Sequence, residues 1–282
     1  VSEDYSQAVH AARDYYNSED ADNFYYYVWG GEDIHIGWYE PTEQTIKEAS
    51  RQTVERMADT LKQPLDASSR VLDLGAGYGG AARYLADRFG CHVTALNLAE
   101  AENERNREYN RDRGLTEQID VIDASFEAIP GDAAQYDVVW SQDAILHSGN
   151  REQVIKEIAR VLKPGGEFVF TDPMCADDCP PGVLRPILDR IHLDSLGSPT
   201  FYLHQCKAEG LSLIGFEDAT KFLIEHYSRV RQETERQADR LKGFVSEAYQ
   251  TQMKAGLQHW IDGGAKGYLA WGIFHFQKPL GS

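Results

Sequence analysis

The stretch Val71-Leu-Asp-Leu-Gly-Ala-Gly-Tyr-Gly-Gly80 constrains this chain more than any other. Arg70–Leu74 reads as a short apolar strand, and Gly79–Phe89 reads as a helix closed by Gly90. Between them, glycines at 75, 77 and 79 let the backbone turn sharply and let a ligand come close to it. A glycine loop that leaves a strand and opens a helix begins a βαβ unit. Open α/β sheets bind their ligands at such strand ends.

The following hundred or so residues keep the same rhythm. His92–Leu96, Ile119–Ile122, Tyr136–Trp140 and Glu167–Thr171 read as strands. Glu100–Arg113, stopped by Gly114, and Glu152–Leu162, ended by Lys163-Pro-Gly-Gly166, read as helices. This alternation predicts parallel crossovers and a doubly wound, mostly parallel α/β sheet. Ahead of it, residues 42–62 carry Ile46, Ala49, Val54, Met57, Ala58 and Leu61 near a helical period, with Pro64 just beyond. The rhythm breaks at Asp172-Pro173. Residues 181–209 look helical and irregular, Gly210–Phe216 looks like a strand, and 221–241 and 244–262 look like helices. Tyr268–Phe276 reads as a last strand, expected to run antiparallel at the sheet edge. The chain thus divides into an aromatic and helical segment over 1–63, a ligand-binding core over 64–174, and lid helices with final strands over 175–282.

Composition narrows the function classes. Of 282 residues, 42% are hydrophobic, enough for a sizeable core. Lys and Arg number 28 against 45 Asp and Glu, a formal charge of -17. Phosphate binding needs clustered cations, so this balance argues against nucleic acid as a partner. It suits a strongly hydrated surface, including one that works at high salt. No run of about 18 apolar residues predicts a membrane span, and Val1-Ser-Glu-Asp-Tyr5 lacks the features of a secretory leader. Cys175 and Cys179 have half the spacing of a zinc site, but no second ligand pair follows. With Cys91 and Cys206 they read as free thiols in a reducing cytoplasm, and no metal is expected.

The pattern Asp73-x-Gly75-x-Gly77-x-Gly79 resembles motif I of class I S-adenosylmethionine methyltransferases. Gly80 also completes the G-x-G-x-x-G of nicotinamide dehydrogenases, so spacing alone leaves both open. Later landmarks favour the methyltransferases: Trp140-Ser-Gln-Asp-Ala-Ile-Leu-His147 after the fourth strand, and Leu162-Lys-Pro-Gly-Gly166 before the fifth. The resemblance implies a Rossmann-like fold with S-adenosylmethionine as cofactor and S-adenosylhomocysteine as product. It gives Asp73 the methionine ammonium and has Gly75, Ala76 and Gly77 line the methionine and ribose. Ser125 would reach the adenine amino group, with Asp123 as the competing candidate, and Phe126 would lie beside the ring. Ala124, Leu98 and Ser141 complete the expected cofactor shell. One departure stands out: the acid that commonly ends the second strand to hold ribose is Asn97 here. An amide still hydrogen-bonds a hydroxyl, but more weakly than a carboxylate.

The flanks resemble the sarcosine/dimethylglycine N-methyltransferases, which make glycine betaine. The carrying segments are Phe24-Tyr-Tyr-Tyr-Val-Trp-Gly-Gly-Glu-Asp-Ile-His-Ile-Gly37, Ser141-Gln-Asp-Ala-Ile-Leu-His-Ser148, Thr171-Asp-Pro-Met174, His226-Tyr-Ser-Arg-Val230 and Leu257-Gln-His-Trp-Ile-Asp-Gly-Gly264. Phosphoethanolamine and tocopherol methyltransferases share a looser version, so another small acceptor stays open, as does a cofactor-binding protein without catalysis. Amine methylation is an in-line displacement, for which alignment and electrostatics supply the catalysis. The nucleophile must be the neutral amine, for which His147 and His35 are candidate bases. The nitrogen gains positive charge, which aromatic faces stabilise. Tyr26, Trp29, Trp38, Tyr227 and Trp271 are candidate cage members, each with packing as its alternative role. Gln142 and Asp143 are candidate substrate contacts, Asp143 alternatively a helix cap. By position, Arg190 is favoured over Arg185 for the substrate carboxylate, with Tyr202 as a second donor. His10, His92 and His204 receive no role, and the charge-rich stretch 229–242 reads as a solvated face. The expected partner is a small-molecule amine, and the expected state is monomer or homodimer.

Overall fold

Five strands grow out of the apolar runs: β1 (Arg70–Leu74), β2 (His92–Asn97), β3 (Ile119–Asp123), β4 (Tyr136–Gln142) and β5 (Leu162–Thr171). The computed structural model describes residues 13–14, 17–29 and 31–281. The readings at Val1–Tyr5 and His10, with Gly30 of the quoted aromatic segment, lie outside the described residues. β1 to β5 are mutually parallel, as the alternation predicts. The crossovers are α3 (Gly80–Phe89), α4 (Glu100–Asp112) and α5 (Arg151–Val161), with α1 (Glu19–Phe24) and α2 (Ile46–Thr60) ahead of the sheet.

Helix α2 starts later than periodicity suggests because its cap decides the start. Thr45 Oγ1 accepts from the Glu48 amide and the Glu48 carboxylate accepts from the Thr45 amide, a capping box that fixes the first turn. Helix α4 is polar on its buried face as well, where Glu102, Asn103, Asn106 and Asn110 are enclosed. Two of these surround a buried cation. Arg83 Nη1 donates to Asn106 and Asn110 Oδ1, both at 2.9 Å, and Nε donates to Glu32 at 2.8 Å. The Leu162–Gly166 stretch is not a simple turn after α5. It is the start of β5, joined to β4 across an irregular register and tied to Lys278 by backbone bonds at Gly165 and Gly166.

After β5 come β6 (Met174–Cys175), α6 (Arg185–Arg190), α7 (Pro199–Ala208), β7 (Ser212–Asp218), α8 (Thr220–Arg236), α9 (Ala238–Leu241) and α10 (Glu247–Ala265). The chain closes with β8 (Leu269–Ala270) and β9 (Gly272–Gln277). The expected single last strand is therefore split at Trp271. β8 pairs with β6 in a small separate sheet, and β9 enters the large one. The large sheet runs β3-β2-β1-β4-β5-β9-β7. β9 is antiparallel, as expected, but it is not at the edge: β7 is. Burial explains the order. Ile273, Phe274, His275 and Phe276 are all enclosed, whereas β7 has no buried residue and leaves Leu213 half exposed. Phe168, Phe170, Phe274 and Phe216 stack across β5, β9 and β7, with neighbouring centroids 4.1–5.0 Å apart. On the other face one apolar cluster takes Ile36 and Met57, Leu85 and Trp140, and Phe222, Trp260 and Trp271. All three sequence segments thus share a core. Among the described residues, no helix is long and apolar enough to cross a membrane.

Glu167 fastens the linker after α2 to this sheet. Its carboxylate accepts from the Lys62 and Gln63 amides at 3.0 and 2.9 Å and faces His275 on β9. Burial pushes the carboxyl up, but the His275 ring and the two amides outweigh it and hold it below the usual range. Stability from this group is therefore present above the ordinary carboxylate range and is lost as pH falls through and below it. Glu167→Gln should cost about 2 kcal/mol at pH 7, because the amide nitrogen meets a donor. The difference from wild type should shrink progressively as pH falls below the ordinary carboxylate range, and urea unfolding over a series of pH values tests it. A gap that does not narrow with falling pH would refute the assignment.

Candidate active site

The strand order reverses between β1 and β4, the place where an open α/β sheet leaves a crevice. Gly75 (φ +72°) and Gly77 (φ +51°) turn the chain out of β1 in the left-handed region. A Cβ on Gly75 would lie 2.3 Å from Ala144 Cβ, so the close approach of two loops demands glycine there. The Gly75 and Ala76 amides both donate to Leu96 O, which moors the loop to β2. A cavity opens above it. Asp73, Gly75, Ala76, Gly77, Asn97, Leu98, Ala124, Ser125 and Phe126 all line it, with Gln142, Asp143 and His147 from the β4 end.

Two expected members lie elsewhere. Asp123 accepts from Asn103 Nδ2 at 2.7 Å and pairs with Arg107 in solvent, so it holds α4 to β3. Ser141 is enclosed in β4, where its hydroxyl donates to Leu74 O at 2.9 Å and clasps β1. Three lining acids were not anticipated: Glu32 and Asp33, and Glu102, 3% exposed, in the first turn of α4. Asn97 Nδ2 donates to Glu102 Oε2 at 2.9 Å, so the carboxylate missing from the end of β2 is supplied from five residues on. Burial pushes Glu102 up to about 7, and Asp73 likewise to about 7 with Asp33 adding to it. Asp73 Oδ2 is buried with no hydrogen-bond partner. These groups fit S-adenosylmethionine chemically. An orphan carboxylate oxygen suits an ammonium, the Asn97–Glu102 pair suits ribose hydroxyls, and Ser125 with Phe126 suits adenine.

A second cavity adjoins the first, and both are lined by Ile34, His35, Asp143 and His147. Residues 33–37 cross between them as an extended strap without a strand partner. Side chains satisfy its backbone instead. His35 O accepts from Trp29 Nε1 and Ser50 Oγ, Ile36 O from Thr53 Oγ1, and the Gly37 amide donates to His226 Nδ1. The Ile36 amide donates to Asp143 Oδ2 at 2.7 Å. Asp143 Oδ1 accepts from Thr171 Oγ1 and Trp271 Nε1, each at 2.8 Å. Burial pushes the Asp143 carboxyl above its ordinary value against the pull of His35 and these donors. Burial also pushes His35 and His147 down to about 4, with Arg151 adding to the effect on His147. Both imidazoles are neutral at neutral pH. His35 Nδ1 faces Ile36 O at 3.2 Å, which places its proton there and leaves Nε2 with a lone pair.

The second cavity holds Trp29, Tyr227 and Arg190 of the expected substrate residues. It also takes Tyr25, Trp260, Met253 and Leu257, which sequence reasoning missed. A π-helical turn over Tyr25–Trp29 decides between neighbours in the aromatic run: Tyr25 and Trp29 line the cavity. Tyr26, 36% exposed, does not; it sits under Arg105 and edge-on to Tyr27. Trp38 is also elsewhere, packed on Phe222 with Arg56 over its ring. Tyr202 is enclosed, and its hydroxyl donates to Asp172. Trp271 does not line either cavity and acts on it through Asp143. Arg185 pairs with Asp189 in solvent. Arg190 lies against Gly256 of α10, where a Cβ would stand 2.4 Å from Nε. The helix makes room for the guanidinium by lacking a side chain.

Asp143 has φ +50°, a strained position for an aspartate held by three donors. In Asp143→Asn one donor would meet the amide NH₂. The variant should lose about 2–3 kcal/mol of stability in urea. A loss under about 0.5 kcal/mol would mean that the strap is not held by this carboxylate.

Known proteins bear on the same residues. A methyltransferase domain family matches residues 72–170. A sarcosine/dimethylglycine N-methyltransferase of Halorhodospira halochloris is 57% identical over 96% of this chain and 97% of its own length. A glycine/sarcosine/dimethylglycine N-methyltransferase of Actinopolyspora halophila is 56% identical over 96% of this chain, which spans 48% of that longer protein. A crystal structure provisionally described as a sarcosine dimethylglycine methyltransferase of Galdieria sulphuraria superposes with a TM-score of 0.89. It is 44% identical and covers 95% of this chain and 100% of its own. Likeness on this scale, along nearly the whole chain, shows that the protein belongs to the sarcosine/dimethylglycine N-methyltransferase family, with the class I methyltransferase fold.

Proposed function

We propose that the protein methylates the nitrogen of sarcosine and N,N-dimethylglycine with S-adenosylmethionine, so that glycine betaine is the end product. The observation that carries the reading is the pairing of Arg190 with four aromatic rings, Tyr25, Trp29, Tyr227 and Trp260, in a cavity that meets the glycine-loop cavity at the strap. A small zwitterion whose nitrogen becomes quaternary calls for that combination. The cofactor supplies a methyl group on a sulfonium, and no metal is needed for its transfer.

Arg190 takes the carboxylate of the acceptor by charge-assisted hydrogen bonds. The rings present π faces to the nitrogen as it gains charge, each well-placed one contributing about 0.5–2 kcal/mol. His35 and His147 stand where the cavities meet as candidate proton acceptors, His35 with its Nε2 lone pair. With values near 4 they do not retain a proton, so it passes to solvent and the amine attacks as the free base. A fully substituted product has no N–H left, and it leaves as the betaine. Glu102 and Asn97 hold the ribose, and Asp73 the ammonium of the donor. We divide the chain into an N-terminal segment over 1–63, a cofactor core over 64–174 and a lid with final strands over 175–282. We place the enzyme in the cytoplasm, as a monomer or homodimer with a small-molecule amine as partner and no nucleic acid. The charge of -17 and the absence of any cystine among the four thiols support this. Betaine is a compatible solute, and a strongly acidic surface suits a salt-stressed cell.

Mass-spectrometric turnover with S-adenosylmethionine and, separately, glycine, sarcosine, dimethylglycine and phosphoethanolamine tests the reading. Betaine should form from dimethylglycine; product from phosphoethanolamine alone would overturn it. Arg190→Met should raise KM for dimethylglycine roughly 100-fold, with S-adenosylhomocysteine affinity unchanged. Between pH 6 and 8.5, log kcat/KM for dimethylglycine should climb with a slope near one. An inflection near pH 6.5 would instead place an ordinary imidazole in control.

A further inference from the structure

Asp33 opens the strap and lines the same cavity as Asp73, and it is only 6% exposed. Its Oδ2 is held by Arg51 at 2.8 Å, whereas Oδ1 is buried with no partner. His35 cannot satisfy it. The His35 proton is on Nδ1, so Nε2, 3.9 Å from Asp33 Oδ1, offers a lone pair to a lone pair. The same oxygen lies 2.1 Å from the place a Cβ on Gly80 would take, which seats the carboxylate on the first residue of α3, just past the glycine loop. Two buried carboxylates with one orphan oxygen each therefore share one cavity, an arrangement that is costly unless a cation joins them.

We propose that Asp33 and Asp73 form a two-carboxylate receptor for the amino-acid ammonium of the methyl donor, so that donor binding pins the N-terminal strap over the glycine loop. This rests on the reading of the glycine-loop cavity as the S-adenosylmethionine site. It adds an arm from outside the α/β core to the one that the glycine motif implies. The charged groups facing Asp33 are Arg51 on α2, Arg83 on α3, Arg113 after α4 and its neighbour Glu32. Burial pushes Asp33 up to about 6 despite Arg51, and Asp73 to about 7. An ammonium between them favours both charged forms. Donor binding thus expels protons near neutral pH and weakens as pH falls.

The test is calorimetric and needs no turnover. The full chain is titrated with S-adenosylhomocysteine, which carries the ammonium, and with 5′-methylthioadenosine, which keeps adenine and ribose but lacks the amino acid. Asp33→Asn should weaken the first ligand roughly 10- to 100-fold and leave the second within about twofold. In wild type the affinity ratio of the two ligands should fall as pH drops from 8 to 5.5. In Arg51→Gln, a half-buried position whose loss raises Asp33, that fall should shift to higher pH. Equal weakening of both ligands in Asp33→Asn, or a ratio that ignores pH and Arg51, overturns the receptor. If wild type binds neither ligand, the cavity assignment itself fails and the receptor with it.

Discussion

The Asp143 carboxylate gathers donors from three parts of the chain: the Ile36 amide of the strap, the Thr171 hydroxyl of β5 and the Trp271 indole between β8 and β9. The strap has no strand partner, so side chains must satisfy its backbone and fix its place. Asp143 does this from the mouth of β4, where it lines both cavities together with Ile34, His35 and His147. The left-handed backbone there is the cost of aiming one carboxylate in three directions. What the tie secures is the wall that the strap forms beside the place where the two cavities meet. On the proposed reading donor and acceptor meet there, and an in-line transfer depends on their alignment more than on any acid or base.

The interior around this wall is unusually polar. Asp33, Asp73, Glu102 and Asp172 are all enclosed, and burial pushes each to about 6 or 7. Asp172 has its donors, the Tyr202 hydroxyl and the Leu146 amide, and serves structure. Asp33 and Asp73 keep orphan oxygens. Such groups lower the stability of the free protein and are satisfied by a ligand that carries positive charge, so part of the binding energy is stored as unmet electrostatics. Arg83, enclosed among Glu32, Asn106, Asn110 and the Tyr78 carbonyl, keeps this acidic floor from unfolding by its own repulsion.

The difference between what the sequence reveals and what it hides follows the range of the interactions. The glycine loop and the strand–helix alternation are local, and periodicity and turn chemistry expose them; Asn97, Leu98, Ala124, Ser125 and Phe126 line the cavity at positions that the family resemblance implies. Tyr25 and Tyr26 are adjacent and chemically alike, and only the pitch of a π-helical turn separates cavity from solvent. Trp260 has the spacing of an ordinary core residue on α10, and nothing local distinguishes it from one. Trp271 looks like a cage member by type and Tyr202 like a carboxylate donor by position, but their polar ends go to Asp143 and Asp172, contacts 128 and 30 residues away. β9 moves inward from the edge because its apolar residues are continuous while β7 is half polar. That comparison needs the whole sheet. Glu102 was hidden by its polar helix, though an acid five residues past Asn97 is a signal worth reading when the second strand ends in an amide.

Charge counting at the acceptor cavity separates the candidate substrates more sharply than shape does. Arg190 is the single arginine or lysine among the described residues that line it, and His35 and His147 stay neutral because they are buried. Asp143 also lines it but has three donors of its own, so on the proposed reading the one guanidinium is left to balance one acceptor carboxylate. A phosphomonoester near its dianionic form would leave a net negative charge in an apolar enclosure, a situation that costs several kcal/mol unless further donors converge. Tyr25, Trp29, Tyr227 and Trp260 line the same enclosure, and on the proposed reading their rings stabilise an ammonium-like centre. Added methyl groups make the nitrogen larger and more apolar without changing the charge of the carboxylate. On the proposed reading Arg190 would therefore meet the same group through successive methylations in one cavity, with the carboxylate as the fixed point.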